Sequence, residues 1–270
     1  MPALATYGLT KDYAVGFWKK RPCRALDNLT LEVGTGEVFG FLGPNGAGKT
    51  TTLKLLMRLV FPTAGRAELL DRPVGDRSAR QHIGYLPENP YFYDYLTAEE
   101  LLRYFAGLFG YAPPERRRRA ESLLDEVGIG AERRLPLRKF SKGMLQRVGI
   151  AQALINDPQL VILDEPMSGL DPLGRRDVRS LILRLRDRGC TVFFSSHVLA
   201  DAEALCSRVA VLAKGRLAAA GRLTDIVAFE PRGWDLVVAG VDGALAASLE
   251  GRARRFTRIG DERFSVELPL

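Results

Sequence analysis

The segment Gly43-Pro44-Asn45-Gly46-Ala47-Gly48-Lys49-Thr50 follows an apolar, strand-like run that ends at Leu42 and opens a helix-like run that reaches Val60. This order of strand, glycine-rich loop and helix is the context that the pattern G-x-x-x-x-G-K-[ST] requires. The glycines let backbone N–H groups wrap around phosphate oxygens, and the N-terminus of the following helix adds partial positive charge. Lys49 is placed to reach the β- and γ-phosphates, and the Thr50 hydroxyl to ligate Mg²⁺. The sequence therefore predicts a nucleoside triphosphate site in an α/β protein.

The composition is that of an ordinary globular protein. The chain has 270 residues, of which 46% are hydrophobic and 26% charged. The longest apolar runs fall short of the ~18 residues that span a bilayer, and the N-terminus has no signal-peptide pattern, so we expect a cytosolic chain. The three cysteines have no metal-ligand spacing, which favours reduced, structural thiols.

The formal charge of +7 and the pI near 9.5 favour an acidic partner, either an anionic membrane surface or nucleic acid. The densest basic run is Arg116–Arg119, and a second group comprises Arg252, Arg254, Arg255 and Arg258. Aromatic residues that would stack on bases do not interleave with the run 116–119. Solvated helix or loop surfaces are the favoured explanation of both groups, so charge alone does not identify a partner.

The periodicity of the chain predicts alternating strands and helices around a central helical segment. Leu29–Val33 alternates as a strand, 97–153 is helical by composition, and Thr97 with Glu100 has the spacing of a capping box. Pro113-Pro114 is expected to separate two helices of this segment, the second of which is rich in arginine.

The second half of the chain returns to an α/β pattern. The apolar runs Leu160–Leu163 and Thr191–Phe194 are typical of parallel strands buried on both faces. A helix over 177–188 would complete a β-α-β unit between them, and Lys214-Gly215 is expected to turn a hairpin. Beyond about Leu223 the chain changes to short alternating stretches such as Phe264–Leu268, which favours a small C-terminal appendage.

Asp164-Glu165 follows the first of those apolar runs directly. A carboxylate at this point can hold Mg²⁺, and the next can polarise an attacking water. Two adjacent carboxylates can also cap a helix or simply be solvated. Their place at a strand end, in a chain with a phosphate loop, favours the catalytic interpretation.

His197, one of two histidines, closes the second apolar run. A parallel strand would deliver it to the carboxyl edge of the sheet, where ligands of such folds bind. Its imidazole could bond a γ-phosphate or the attacking water, although a lone histidine at a strand end is more often structural.

Ser141 and Gly143 precede an apolar helix and offer a hydroxyl and backbone N–H groups at a helix N-terminus. In isolation this is only a helix cap, and a chain with one phosphate loop has no evident use for a second anion site.

The order of these segments resembles that of the ATP-binding subunit of an ABC (ATP-binding cassette) transporter, over about residues 4–222. Gly43–Thr50 is similar to the Walker A loop of that family, and Leu160–Glu165 to its Walker B strand with the catalytic glutamate. Phe140–Met144 resembles the family signature, Ser168–Asp171 the D-loop, and His197 the switch histidine.

The resemblance implies a P-loop NTPase (ABC ATPase) core with an antiparallel β-subdomain, an inserted α-helical subdomain and a small C-terminal appendage. The implied domains are an ATP-binding domain at 1–222, with its helical subdomain at about 90–155, and an extension at 223–270. The implied activity is hydrolysis of ATP with Mg²⁺ by two copies, a homodimer or pseudo-dimer, coupled to a separate membrane subunit at the cytoplasmic face of the membrane. Export of drugs, polymers or lipids is the direction that the resemblance favours.

The implied site residues fall into three groups. The catalytic residues are Glu165, His197 and Lys49. The residues that contact ATP are Tyr13, Gly43, Pro44, Asn45, Gly46, Ala47, Gly48, Lys49, Thr50, Thr51, Glu88, Asp164 and, from the second chain, Ser141 and Gly143. The residues that hold Mg²⁺ are Thr50, Asp164 and Glu88.

Three positions depart from the family pattern. Lys142 and Met144 replace a glycine and a glutamine of the signature, and Glu88 stands where the family has a glutamine. Tyr13 resembles the aromatic residue that stacks on adenine, but the following stretch is longer than usual, so Phe17 or Trp18 remain alternatives.

Four aromatic residues occur in the run Pro90–Leu96, immediately after Glu88. In the family this region faces the membrane subunit, so 88–96 is the predicted contact; a filled junction between core and helical subdomain is the alternative. Another class of function, a soluble ABC ATPase that acts on nucleic acid or the ribosome, is disfavoured because the chain has a single cassette and no long heptad segment. A kinase or GTPase would have no use for the signature-like segment.

Overall fold

The computed structural model describes residues 2–16, 21–226, 233–240, 243–251, 253, 255–260 and 263–269. Phe17 and Trp18, two of the candidates for adenine stacking, lie outside these residues, as do Arg252 and Arg254 of the second basic group. The chain divides into two compact units, Met1–Ile226 and Val227–Leu270.

The first unit contains ten strands and eight α-helices among its described residues. In chain order they are β1 (Pro2–Val15), β2 (Arg21–Gly34), β3 (Val38–Leu42), α1 (Lys49–Leu56), β4 (Ala64–Leu69), β5 (Arg72–Pro73), α2 (Arg77–Arg80), β6 (Ile83–Leu86), α3 (Ala98–Leu108), α4 (Pro113–Glu126), α5 (Lys142–Ala153), β7 (Leu160–Leu163), α6 (Pro172–Asp187), β8 (Thr191–Ser196), α7 (Leu199–Leu205), β9 (Arg208–Ala213), β10 (Arg216–Arg222) and α8 (Leu223–Ile226). Within the described part of the chain, no helix has the length and hydropathy to cross a bilayer.

A six-stranded sheet forms the centre of this unit, in the order β10-β9-β3-β8-β7-β6, and only β10 runs antiparallel to its neighbour. Every residue of β3, β7 and β8 is buried, which explains why their sequences are continuous rather than alternating apolar runs. Phe193 of β8 packs against Phe39 and Phe41 of β3, with ring centroids 5.9 and 5.3 Å apart. The three strands are parallel, so the residues that follow them meet at one edge of the sheet.

A second, antiparallel sheet has the order β2-β1-β4-β5. Its main part is a long hairpin of β1 and β2, paired from Pro2 with Gly34 to Val15 with Arg21. The strand predicted at Leu29–Val33 is therefore the second half of a strand that begins at Arg21.

The helical segment begins with the predicted capping box. The Thr97 hydroxyl accepts the N–H of Glu100 at 3.2 Å, and the Glu100 carboxylate accepts the N–H of Thr97 at 2.9 Å. The prediction that Pro113-Pro114 separates two helices was wrong in its detail, because both prolines are the opening residues of α4. A proline fits there, since the first N–H groups of a helix have no intrahelical partner.

The arginine run 116–119 lies on α4 and is largely paired within the helix. Arg118 and Arg119 contact the Glu115 carboxylate at 2.8 Å, and Arg117 contacts Glu121 at 2.9 Å. Pairs three and four residues apart on an exposed helix are the arrangement of a solvated surface. This favours the surface interpretation of the run over a nucleic-acid site.

Two local predictions concern turns. Lys214 and Gly215 connect β9 to β10, as predicted, with φ of +49° and +80°, the left-handed geometry of a tight hairpin. The helix after the phosphate loop was expected to reach Val60 but ends at Leu56. Arg58 has a φ of +53°, a conformation that cannot continue a right-handed helix.

The second unit contains β11 (Gly233–Ala239), α9 (Gly243–Glu250), β12 (Arg255–Gly260) and β13 (Arg263–Pro269). Its strands form an antiparallel sheet in the order β11-β13-β12. The rings of Phe256 and Phe264 stack at 4.9 Å between two of these strands, and Val266 is fully buried. The short alternating runs of the sequence thus form a small sheet with an interior of its own.

Candidate functional site

The glycine-rich loop connects β3 to α1 at the carboxyl edge of the central sheet. Gly48, the residue before α1, has a φ of +106°, and a Cβ there would lie 2.6 Å from the Ala25 carbonyl oxygen. A side chain at this position would therefore collide with β2 as well as strain the backbone. The loop backbone is packed so closely that glycine is required where the helix begins.

Lys49 is buried and turns back over the loop. Its Nζ donates to the carbonyl oxygens of Gly43 at 2.7 Å and Pro44 at 3.3 Å. It also lies 3.2 Å from Glu165 Oε1, an ion-pair contact without the angles of a hydrogen bond. The ammonium group is thus held at the centre of the loop by two backbone carbonyl oxygens and one carboxylate.

Asp164 and Glu165 follow β7, and both side chains are buried. Asp164 Oδ1 accepts a hydrogen bond from the Ser195 hydroxyl at 2.6 Å, whereas its Oδ2 is buried without a partner. Burial raises the pKa of the Asp164 carboxyl, and the hydrogen bond from Ser195, the nearby Thr50 hydroxyl and the charge of Lys49 only partly oppose this rise. A buried carboxylate with one free oxygen favours a cation nearby.

Glu165 has a φ of +50°, a left-handed conformation that costs about 1–2 kcal/mol for a residue with a side chain. Its N–H donates to the Ser195 hydroxyl at 2.9 Å. Its Oε2 lies 2.9 Å from Nδ1 of His197, whose side chain is 44% exposed. A carboxylate can only accept, so Nδ1 carries the proton of this bond. The two oxygens of Glu165 are therefore held by Lys49 and His197.

A cleft of about 280 Å³ contains most of the predicted phosphate-site residues. The residues that line it are Ala25, Asn45, Gly46, Gly48, Lys49, Thr50, Thr51, Glu88 and Glu165. Glu88 is exposed and reaches this cleft from the loop after β6. Tyr13 does not line it; it lies on β1 opposite Cys23, with Lys11 Nζ 5.0 Å from the centre of its ring.

Ser141 and Gly143 lie at the start of α5, where the Ser141 hydroxyl accepts the N–H of Met144 at 3.2 Å. They line a different cleft, of about 520 Å³, together with residues 169–171 of the D-loop-like segment. The Lys142 side chain packs against that segment. Its Nζ is so close to Gly169 that a Cβ at this glycine would lie 2.6 Å from it. The two clefts share no lining residue, so the structure does not bring Ser141 and Gly143 to the phosphate loop of the same chain.

The sequence reasoning missed two buried polar contacts beside the site. Ser195 contacts both carboxylate residues that follow β7, and Asp201 on α7 is paired with Arg179 of α6. The sequence contained a signal for the Ser195 contacts, because two serines end a largely apolar strand immediately before His197. Buried polar groups of this kind are retained only with partners. The pairing of α6 with α7 left no local signal.

The Arg179–Asp201 pair provides a test of the packing behind His197. Arg179 Nη2 lies 2.7 Å from Asp201 Oδ1, and the Asp201 side chain is only 3% exposed. Replacing Arg179 with alanine leaves a buried carboxylate underpaired, so we expect the free energy of unfolding to fall by about 1–3 kcal/mol. Urea unfolding at neutral pH measures this change.

Arg175→Ala is the matched control, because that guanidinium is 3.9 Å from the same carboxylate oxygen. A loose, partly exposed contact of this kind contributes less than about 1 kcal/mol. Equal losses in both variants would show that the short Arg179 contact has no special role.

Comparison with known proteins agrees with this geometry. The sequence profile of the ABC transporter family matches residues 26–168. An uncharacterized ABC transporter ATP-binding protein of Synechocystis is 51% identical over 237 residues, which cover 87% of this chain and 67% of the relative. The bacitracin transport ATP-binding protein of Bacillus licheniformis is 40% identical over 197 residues, which cover 72% of this chain and 63% of that protein.

The fold is similar to a dimeric ATP-binding cassette in a post-hydrolysis state with bound ADP and phosphate. The TM-score is 0.75 and the identity 26%, over 82% of this chain and 98% of the cassette. The predicted P-loop NTPase (ABC ATPase) core is thereby confirmed. This chain spans about two thirds of the length of the curated relatives it matches. The chain belongs to the ABC transporter family, as an ATP-binding subunit that takes ATP with Mg²⁺ and hydrolyses it.

Proposed function

We propose that two copies of this chain, or one copy and a related subunit, enclose two ATP–Mg²⁺ and drive export through a separate membrane subunit. The observation that carries this proposal is the separation of the phosphate cleft from the Ser141–Gly143 cleft on one chain. A helix N-terminus offers a binding site for an anion, and a second chain can bring one. The similarity to a fluoroquinolones export ATP-binding protein of Mycobacterium tuberculosis, 40% identical over 204 residues, supports the export direction.

In this proposal the loop residues 43–51 hold the phosphates, and Ser141 and Gly143 of the second chain close over the γ-phosphate. Thr50 and Asp164 would hold Mg²⁺, with Glu88 at the rim of the cleft that Thr50 lines. The fit rests on Asp164, whose Oδ2 is buried without a partner. Bound Mg²⁺ would neutralise charge on the phosphate oxygens.

Glu165 is proposed to orient the attacking water. When the Lys49 ammonium turns to a phosphate, Oε1 of Glu165 loses its ion-pair contact and becomes free to accept a hydrogen bond from water. His197 continues to hold Oε2, so the carboxylate keeps its direction while one oxygen is released. Assistance of this kind accelerates a reaction by about 10²- to 10⁴-fold.

Tyr13 is proposed to approach the adenine from β1, at the side of the cleft that Ala25 lines. We further propose that residues 1–222 act as the ATP-binding domain, with the helical subdomain at about 90–155, and that 223–270 form an extension. The transported molecule would be selected mainly by the membrane subunit.

The contact with the membrane subunit is proposed to lie at 88–96, and the chain would then be peripheral at the cytoplasmic face. Tyr91, Tyr93 and Tyr95 are 97, 54 and 65% exposed, and the rings of the last two are 5.9 Å apart. Exposed aromatic clusters mark interfaces, because aromatic side chains are enriched there. The exposure of the three tyrosines supports a contact surface over a filled junction, whereas Phe92 of the same run is half-buried and lies next to Gly149 of α5.

Co-purification tests this function. A tagged chain recovered from gently solubilised membranes is expected to bring an integral membrane protein with it. Replacing Tyr91 and Tyr95 with serine should reduce that recovery at least about tenfold, while binding of a fluorescent ATP analogue is unchanged.

Phe61→Ser is the matched control, because this ring is 63% exposed but lies after α1, outside the 88–96 segment. It should leave the recovery unchanged. Recovery of ribosomes or nucleic acid without any membrane protein would instead favour the soluble ABC ATPase.

A further inference from the structure

Ser195 lies at the centre of the phosphate site, although its residue type alone predicts no role there. Its strand, β8, lies between β3, which leads to the glycine-rich loop, and β7, which leads to Asp164. It pairs with Phe41 on one side, and its neighbour Phe194 pairs with Leu163 on the other. The side chain is fully buried, so its hydroxyl needs partners within the protein.

Both partners of that hydroxyl belong to the segment that follows β7. Glu165 N lies 2.9 Å from Ser195 Oγ and can only donate to it. The single proton of the hydroxyl is then directed to Asp164 Oδ1, at 2.6 Å. The direction of both hydrogen bonds is fixed by this chemistry, and one side chain connects two adjacent carboxylate residues.

The hydrogen bond from Ser195 to Asp164 distinguishes the two oxygens of that carboxylate. Oδ1 is satisfied by Ser195, whereas Oδ2 is buried and without a partner. A carboxylate free to rotate would offer either oxygen. With Oδ1 held, the carboxylate presents Oδ2 in a fixed direction. A fixed ligand direction suits Mg²⁺, because this cation demands near-ideal octahedral geometry.

The hydrogen bond from the Glu165 N–H to Ser195 stabilises an unfavourable backbone conformation at Glu165. Glu165 has a φ of +50°, a region that is sparsely populated for residues with a side chain and that persists only where neighbouring structure imposes it. The N–H bond to Ser195 is such a constraint. With the backbone in this conformation, the Glu165 carboxylate reaches Lys49 and His197.

We infer that Ser195 is a positioning residue for ATP hydrolysis: it orients Asp164 toward Mg²⁺ and holds Glu165 in the conformation that directs its carboxylate into the phosphate cleft. This inference rests on the proposed roles of Asp164 and Glu165. A hydroxyl with a merely structural role would affect folding stability but not the dependence of nucleotide binding on Mg²⁺.

Ser195→Ala is the test, performed on the full chain. We expect binding of a fluorescent ATP analogue in excess EDTA to match the wild type. In the presence of the metal, half-maximal binding should require about 10- to 100-fold more free Mg²⁺, because supporting contacts of metal ligands have effects of this order. The rate of phosphate release at saturating Mg²⁺ should fall about tenfold or more.

Thr191→Ala is the matched control, because it removes a buried hydroxyl from the other end of the same strand. Thr191 Oγ1 accepts the N–H of Gly36 at 2.9 Å, far from the phosphate loop. This variant should keep the wild-type Mg²⁺ dependence even if its urea midpoint falls as much as that of Ser195→Ala.

Two results would overturn the inference: a wild-type Mg²⁺ titration and turnover for Ser195→Ala, or an equal shift in Thr191→Ala. A wild-type chain that neither binds nor hydrolyses ATP would contradict the proposed function itself. The failure of the inference about Ser195 is therefore distinguishable from the failure of the proposed function.

Discussion

A Glu165→Gln chain is expected to bind ATP with Mg²⁺ and to form a stable dimer, but to release phosphate about 10²- to 10⁴-fold more slowly than the wild type. Glutamine preserves the size of the side chain but cannot take the negative charge that orients and polarises water. Nucleotide affinity should be equal or higher, because the change removes the charge that holds Lys49 at 3.2 Å in the free chain.

Phosphate release under steady-state conditions, binding of a fluorescent ATP analogue and light scattering measure the three parts of this expectation. Glu203→Gln is the matched control, since it makes the same chemical change on the exposed surface of α7. It should hydrolyse ATP at the wild-type rate. Turnover at that rate by Glu165→Gln would remove Glu165 from the mechanism.

The sequence was informative where structure depends on local geometry. The glycine loop, the capping box at Thr97 and the Lys214-Gly215 turn each depend on residues within a few positions of one another, and each was predicted. The apolar runs that became β7 and β8 were also predicted, because strands buried on both faces leave a continuous pattern.

The contacts that complete the site depend on sheet order instead. Ser195 meets Asp164 and Glu165 across about thirty residues of sequence, because β8 lies beside β7 in the sheet. Similarly, Arg179 meets Asp201 only because α6 and α7 pack together. Neither pair is spaced along the chain in a way that a helical or strand period would reveal.

The described site also differs from a preformed phosphate cradle. Lys49 is already occupied by the carbonyl oxygens of Gly43 and Pro44 and by Glu165. In the proposed mechanism, phosphate binding replaces these contacts, so the same event that engages Lys49 would also free an oxygen of Glu165. Binding and the preparation of the attacking group would then be coupled through one ammonium group.

Chains that carry Gly143→Asp are expected to fold at least as well as the wild type and to lose ATP hydrolysis by about 10²-fold or more. A Cβ at this position would lie 3.4 Å from Leu170 Cδ2, an ordinary contact. The first turn of α5 holds no acidic residue, so a carboxylate there stabilises the helix by about 0.3–1 kcal/mol. The same carboxylate would repel the γ-phosphate on a second chain. Thermal unfolding and phosphate release measure the two opposite effects.

Mixing this variant with Lys49→Ala tests whether the site is built from two chains. Each variant alone should be inactive, since one lacks the closing surface and the other the phosphate-binding cation. A mixed dimer pairs the intact loop of the Gly143→Asp chain with the intact Ser141–Gly143 surface of the Lys49→Ala chain. Random association with independent sites would then restore about a quarter of the wild-type rate, because half of the dimers are mixed and each has one complete site. A mixture that stays inactive, although light scattering shows dimers, would mean that each chain completes its own site and would refute the two-chain arrangement.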